Sequence, residues 1–297
     1  MTKQFLLKQC LKSEKTNLEP FEIERIDKMT SLLLLDGREA SVNGTDCPRE
    51  PPGRTHIAAK TPEKEAETRD YVAKMHAAVA KYGRDLVIGA DETPLRSIAS
   101  SRKTIAHVGT ESVRIRKVGN EKEQLTAMLA VTVGGAKLKP MIIAKGTTQL
   151  CLRRFNLNDR EIIGAFSSNG WMNSKLMVKF LEDSILQYTQ GRPCALSLDD
   201  FRAHWSEEVT EFAAANNIEL VHISAGITGE YQSLDVRVNG ILKSIQNGMQ
   251  RLERVENSDR KFNLEDAVRY FRSGWAQIDK EVIISSWAPM NFPESQV

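Results

Sequence analysis

Residues 194–224 read CALSLDDFRAHWSEEVTEFAAANNIELVHIS. A short apolar run is followed by a stretch of helical spacing opened by Ser206 and two glutamates, and then by a second apolar run. Strand, helix and strand succeed one another, and the same alternation extends both ways. Upstream, WMNSKLMVKFLEDSILQYTQG sets Leu176, Phe180, Leu181 and Ile185 at helical spacing before Gly191 and Pro193 end it. Downstream, Leu234, Val238, Ile241, Leu242 and Ile245 form the stripe of a further helix, with Asp235 in its first turn beside the core face. Such a chain cannot be an all-β sandwich or a plain bundle, and helices must cover the faces of a sheet.

The part before this segment supplies the rest of the sheet. TPEKEAETRDYVAKMHAAVAKYG is a helix with a threonine cap, acids in its first turn and a closing glycine. It leads into DLVIGADETP, which reads as a strand buried on both faces, with Asp91 at its carboxyl end and Pro94 as its stop. SVRIRKV and LTAMLAVTVGGAKLKPMIIAKG alternate like strands, and the central GG marks a hairpin. The expected class is therefore α/β, a mixed sheet with helices on its faces. Toward the carboxyl end, Trp275 and Trp287 are expected to anchor helical packing. Residues 1–60 hold one amphipathic stretch, FEIERIDKMTSLLLLDG, and a linker-like SVNGTDCPREPPGRTH, so they read as an irregular extension ahead of a folded domain at 61–297.

Several function classes are excluded by what these residues lack. No apolar run approaches the roughly 20 residues of a membrane span, and the amino terminus lacks the pattern of a secretory signal, so an intracellular protein without a membrane partner is expected. Cys10, Cys47, Cys151 and Cys194 are scattered without a CxxC pair, and no HExxH, GxxxxGK[ST] or GxGxxG occurs. The net charge is only +2, yet residues 96–160 carry 13 basic and four acidic side chains. A local excess of that size attracts a polyanion, and Arg102, Lys103, Arg114, Arg116, Lys117 and Lys145 are its candidate DNA contacts.

Two strands, VIGAD and ALSLD, end in aspartate, and a third aspartate opens the helix after a third strand. Open α/β sheets place ligands outside the carboxyl ends of their strands. If these strands are neighbours, Asp91, Asp199 and Asp235 converge. Carboxylates without histidine or thiolate partners favour Mg²⁺ or Mn²⁺, and without an ion they would raise one another's pKa values. Two ions held in this way serve phosphodiester cleavage and transfer. His204 reads as a hydrogen-bonding or capping residue beside the site, and Asp200 as either a supporting ligand or a solvent-facing charge.

These residues carry a family resemblance. GADETP at 89–94, LSLDDFRAHW at 196–205 and GITGEYQSLDVRVNGILKS at 226–244 resemble the three signature blocks of the DDE superfamily endonuclease domain of pogo/Tigger-type transposases, in the mariner group. Matched block by block, Asp91, Asp199 and Asp235 fall on the family's catalytic and metal-binding acids, with 35 residues between the second and third. Glu92, Asp200, His204, Asn239 and Lys243 fall on supporting positions of the same blocks. Gly89, Asp200 and Ser233 depart from the family's usual Asn, Asn and Pro.

The resemblance implies an RNase H-like fold with a mixed five-stranded sheet flanked by helices, a DNA substrate, two Mg²⁺ (or Mn²⁺) ions and work in the nucleus. It also allows a homodimer. Relatives carry two helix-turn-helix modules ahead of the catalytic domain, and some 60 residues with a single helix are too few for both, so recognition of transposon ends is expected to be absent or supplied in trans. The expected function is a transposase-derived endonuclease that cleaves or transfers DNA strands. The alternative is a domesticated, non-catalytic nucleic-acid-binding protein on the same scaffold.

Overall fold

A computed structural model describes residues 61–98, 124–157, 160–257 and 259–293. The basic candidates Arg102, Lys103, Arg114, Arg116 and Lys117, the strand expected at SVRIRKV and the helix expected within 1–45 lie outside the described residues. Of the described residues, those in 61–246 and 261–293 fall in one compact unit and those in 247–260 in another. In the described part of the latter, Arg260 pairs with Glu253 at 2.9 Å. The former contains the sheet.

Helix α1 (Pro62–Tyr82) begins where Thr61 accepts a hydrogen bond from the Lys64 amide, with Pro62 in its first turn and Glu63 and Glu65 facing the positive end of the helix dipole. Gly83, at φ +81°, ends it and turns the chain into the sheet. The strands are β1 (Val87–Arg96), β2 (Gln124–Thr132), β3 (Met141–Lys145), β4 (Ile163–Ser167), β5 (Cys194–Leu198) and β6 (Ile218–His222). Their order is β4-β3-β2-β1-β5-β6. β2 runs antiparallel to both β1 and β3, while β3 and β4, β1 and β5, and β5 and β6 are parallel pairs. All strands except β2 therefore deliver their carboxyl ends to the same end of the sheet.

This is the RNase H-like mixed sheet implied by the resemblance, with six strands in place of five. The additional strand is β4. Its sequence, IGAFS, is short and built partly of small residues, so its alternation of Ile163, Ala165 and Ser167 inward with Gly164 and Phe166 half-buried gave little signal.

Side-chain alternation divides the core into two layers. Val87, Leu95, Leu125, Leu129 and Val131 face the layer shared with Tyr71 and Met75 of α1, Val238 and Leu242, Phe271 of α5 (Leu264–Gln277), and Ile283 of the terminal helix α6 (Lys280–Ser286). Ile88, Ala90, Met128, Ala130, Leu196 and Leu198 face the layer shared with Met177 and Phe180 of α2 (Ser174–Phe180) and Val209 and Ala213 of α3 (Glu207–Ala215). β1, β2 and β5 are thus apolar on both faces, which is why they read as continuous hydrophobic runs. Helix α4 (Asn239–Glu256) is preceded by a π turn, Leu234–Val238, and a second π turn, Leu181–Leu186, continues α2.

One local expectation is corrected. β1 does not stop at Pro94 but runs on to Arg96. It pairs with β5 only from Val87 to Gly89, while its pairing with β2 continues to Arg96. Past Gly89 one edge of β1 is unpaired, so a proline without an N–H is tolerated there. Ser206 stands at the N-cap of α3, but its hydroxyl makes no capping bond and is buried without a partner. Both tryptophans occupy the layer of α5 and α6, Trp287 buried and Trp275 stacked on Phe271 with ring centroids 6.1 Å apart. Cys151 and Cys194 are free thiols, and no described helix is long and apolar enough to cross a membrane.

Candidate metal centre

β1 and β5 lie side by side at the point where the sheet's strand order turns back. The crevice beyond their carboxyl ends is where an open α/β sheet offers a binding site. Asp91 lies two residues past the last β1–β5 pair, and Asp199 directly follows β5. The strand period then separates two neighbours in sequence. Asp91 continues the face of Val87 and Leu95, whereas Glu92 continues the face of Ile88 and Ala90. The acidic pair of GADETP therefore serves opposite faces of the sheet.

On Asp91's face the partner is Asn239. Its side-chain amide donates to Asp91 Oδ2 at 3.3 Å and to Asp235 Oδ1 at 3.1 Å, so one amide group links both carboxylates. Asn239 is buried, and its Oδ1 has no hydrogen-bond partner. Asp235 sits in the π turn ahead of α4, four residues before Asn239, and meets that residue's side chain from the turn. Gln232, buried in the preceding loop, donates to the Ala90 carbonyl at 3.3 Å and ties that loop to the edge of β1 that β5 leaves open.

On the other face, His204 is fully buried between two carboxylates. Its Nε2 lies 3.1 Å from Glu92 Oε1, and its Nδ1 lies 2.9 Å from Asp199 Oδ1, close enough for an ion pair but outside hydrogen-bond alignment. Asp199 is held at both its backbone and its side chain, since Trp205 Nε1 donates to its carbonyl at 2.7 Å and the Phe201 amide to its Oδ1 at 3.1 Å. Glu92, Asp199 and His204 bring ligand atoms within 4.8 Å of one another. The charges of Glu92 and then Asp199 also act on Asp91.

The electrostatics follow from burial and like charge. Asp91, 8% exposed, is pushed up to about 8, by burial first and then by Asp235, Glu92 and Asp199. Burial alone would lower the His204 pKa, but its contacts with Asp199 and Glu92 outweigh that and raise it to about 9. For Asp199, burial is likewise outweighed, by His204 and the Phe201 amide, and its pKa is lowered. The cluster thus holds more negative charge than the protein alone neutralises at Asp91, while the His204 imidazolium compensates Asp199.

Of the remaining sequence candidates, Asp200 is exposed, pairs with His222 Nε2 at 3.1 Å, and is not among the charges acting on Asp91. Lys243 is exposed on α4 beside Thr93, Pro94 and Gln246. Lys145 ends β3, and the ladders place it level with Gln124 and hence with Arg96, at the same end of the sheet as the acids. Gly89 is explained by packing: a Cβ there would meet Trp287 Cη2 at 2.7 Å and Ser233 Oγ at 3.0 Å. Two of the three positions that depart from the family blocks, Gly89 and Ser233, thus face one another under Trp287. Sequence reasoning missed Gln232 and Trp205, although both lie inside the quoted blocks; their side-chain bonds to backbone carbonyls leave no spacing signal.

Residues 122–287 match the family described as DDE superfamily endonuclease. That stretch includes Asp199 and Asp235, whereas Asp91 precedes it and joins them through the sheet register. The chain is 36% identical over 152 residues to a Homo sapiens protein named Pogo transposable element with KRAB domain, covering 50% of this chain and 24% of the relative. The Mus musculus protein of the same name is 35% identical over 152 residues. The chain spans about a quarter of the length of these curated relatives. Among solved structures, that of the Mos1 strand transfer complex superposes with a TM-score of 0.51 over 97% of this chain and 75% of that one, at 11% identity.

Proposed function

This chain belongs to the DDE superfamily endonucleases, and we propose that it is a transposase-derived domain that binds DNA and cleaves or transfers phosphodiester strands. The observation that carries the reading is the Asn239 amide joining Asp91 to Asp235 beside the β1–β5 crevice, where Asp199 directly follows β5.

The donor set fits a divalent ion. Its oxygens are hard, Asp91 is under-neutralised, and Asn239, whose amide joins two of the carboxylates, carries a buried Oδ1 without a partner. Asp91, Asp199 and Asp235 would hold two Mg²⁺ or Mn²⁺ ions, which when bound supply an activated oxygen nucleophile and stabilise the departing oxygen. The protein's own part is positional. Asn239 sets the spacing of Asp91 and Asp235, His204 keeps Asp199 ionised and oriented, and Trp205 and the Phe201 amide fix the loop that carries it. Asp235 is exposed, so the cluster opens to solvent and can receive a polymer backbone. Lys145, together with the basic residues of 96–160, would draw that backbone in. A DNA substrate would be met in the nucleus, and a homodimer is the assembly to test first.

Incubation of supercoiled plasmid with the protein and Mn²⁺ should yield nicked product, and Asp199→Ala should abolish it. Equal nicking by that variant, purified identically, would refute the reading.

A further inference from the structure

Trp171 is 57% exposed. Tryptophan carries the largest apolar surface of any side chain and is seldom left that open without a partner. The loop that presents it is nevertheless firmly built. Ser167 Oγ donates to the Trp171 carbonyl at 2.8 Å, the Trp171 amide donates to Asn169 Oδ1 at 3.0 Å, and Thr126 Oγ1 donates to the Gly170 carbonyl at 2.9 Å. Met172, the next residue, is buried. The indole is therefore held out from the surface by an anchored backbone.

Position and charge say what it meets. The loop leaves the carboxyl end of β4, the same sheet end that carries Asp91 and Asp199. β4 lies three strands from β1, roughly 14 Å at about 4.8 Å per strand, and the ladders set its last residue level with Arg96, five residues and about 16 Å beyond Asp91, so the loop stands about 22 Å from that acid. That span corresponds to about six nucleotides of a stacked strand at roughly 3.4 Å each. Lys145 adjoins the loop: Gly170, at φ +80°, lets it approach, since a Cβ there would meet Lys145 Cβ at 3.2 Å and its amide nitrogen at 3.3 Å. Lys145 and Lys175 are exposed, and residues 124–158 and 162–181 contain no acidic side chain. An aromatic face beside ammonium groups, on stretches of chain without acidic side chains, is complementary to a base and its phosphate.

Resting on the DNA-processing reading above, we propose that Trp171 and Lys145 form a nucleotide subsite, in which the indole stacks on an unpaired base about six nucleotides from the scissile phosphate and Lys145 contacts the adjoining phosphate. A base inside an intact duplex has both faces covered, so the subsite selects single-stranded or locally opened DNA.

The test measures fluorescence anisotropy of a fluorescein-labelled mixed-sequence 15-mer, single-stranded and as duplex, with the full chain as wild type, Trp171→Ala, Trp171→Phe and Lys145→Ala. Trp171→Ala should weaken single-strand binding roughly tenfold and duplex binding far less; Trp171→Phe should keep most of the affinity. Lys145→Ala should weaken both forms and reduce the salt dependence of each. Unchanged single-strand affinity in Trp171→Ala, with the wild type binding well, would overturn the subsite while leaving the DNA reading intact. A wild type that binds neither form would overturn both. Should Trp171→Ala instead shift the sedimentation of the protein to a smaller species at unchanged DNA affinity, the indole serves a protein interface and the subsite is refuted.

Discussion

Asn239 donates its side-chain amide to Asp91 across 148 residues of chain, at 3.3 Å. The bond joins the opening of α4 to the middle of β1, and through the second N–H it includes Asp235. A group that links two like-charged carboxylates sets their separation, and separation is what a metal centre requires of its ligands.

Asn239→Ala should therefore lower Mn²⁺ affinity and plasmid nicking by roughly 10- to 100-fold, the usual loss when a ligand's supporting partner is removed. Isothermal calorimetry with Mn²⁺ would show it directly. Unchanged affinity would mean that the carboxylates keep their geometry without the amide.

The metal-free protein should lose stability as pH rises. The Asp91 carboxyl goes from an unfolded value of 3.8 to about 8 in the fold, so between those values the unfolded chain has released a proton that the fold retains, and the fold is disfavoured. His204 runs the same way: its raised value contributes stability that is complete below 6.5 and is lost as pH climbs through about 9. Thermal melts in EDTA should thus fall from pH 5 to pH 9, while the lowered pKa of Asp199 adds a separate loss at strongly acid pH. A flat profile over that range would contradict the arrangement.

Replacing Asp91 by Asn removes the buried charge and keeps the shape. Asp91→Asn should melt higher than wild type at pH 8 in EDTA, gain little from added Mn²⁺ and fail to nick DNA. The wild type should rise on Mn²⁺ addition by mass action. A variant that melts lower at pH 8 would show that the Asp91 carboxylate is already compensated.

Gly89→Ala should destabilise the fold by about 1–3 kcal/mol, because the new methyl would have to displace Trp287. Urea unfolding measures the loss. Combining it with Trp287→Phe, which removes the atom nearest the new Cβ, should recover part of it, and strict additivity of the two changes would count against the contact.

How much of this was legible in the sequence differs from element to element. β5, α3 and β6 were readable because apolar runs and capped helical spacing are local signals. α1 was readable down to its Thr61 cap and Gly83 stop. β4 was not, since a five-residue edge strand with glycine and alanine carries too few large side chains to set a period. The end of β1 was misread because a proline is a stop only where its N–H would be needed, and β5 leaves that edge of β1 unpaired.

By itself, the sequence determined that an α/β chain carries Asp91, Asp199 and Asp235 at element ends, since residue type and spacing are written along the chain. The tertiary structure alone decided that Asp91 and Glu92 part to opposite sheet faces and that Asn239 bridges Asp91 to Asp235. It also directed His204 to Asp199 and Glu92 while pairing Asp200 with His222 outside the cluster. Those outcomes depend on strand register and on helices packing from distant segments, and contacts between residues far apart in the chain leave no mark in local spacing.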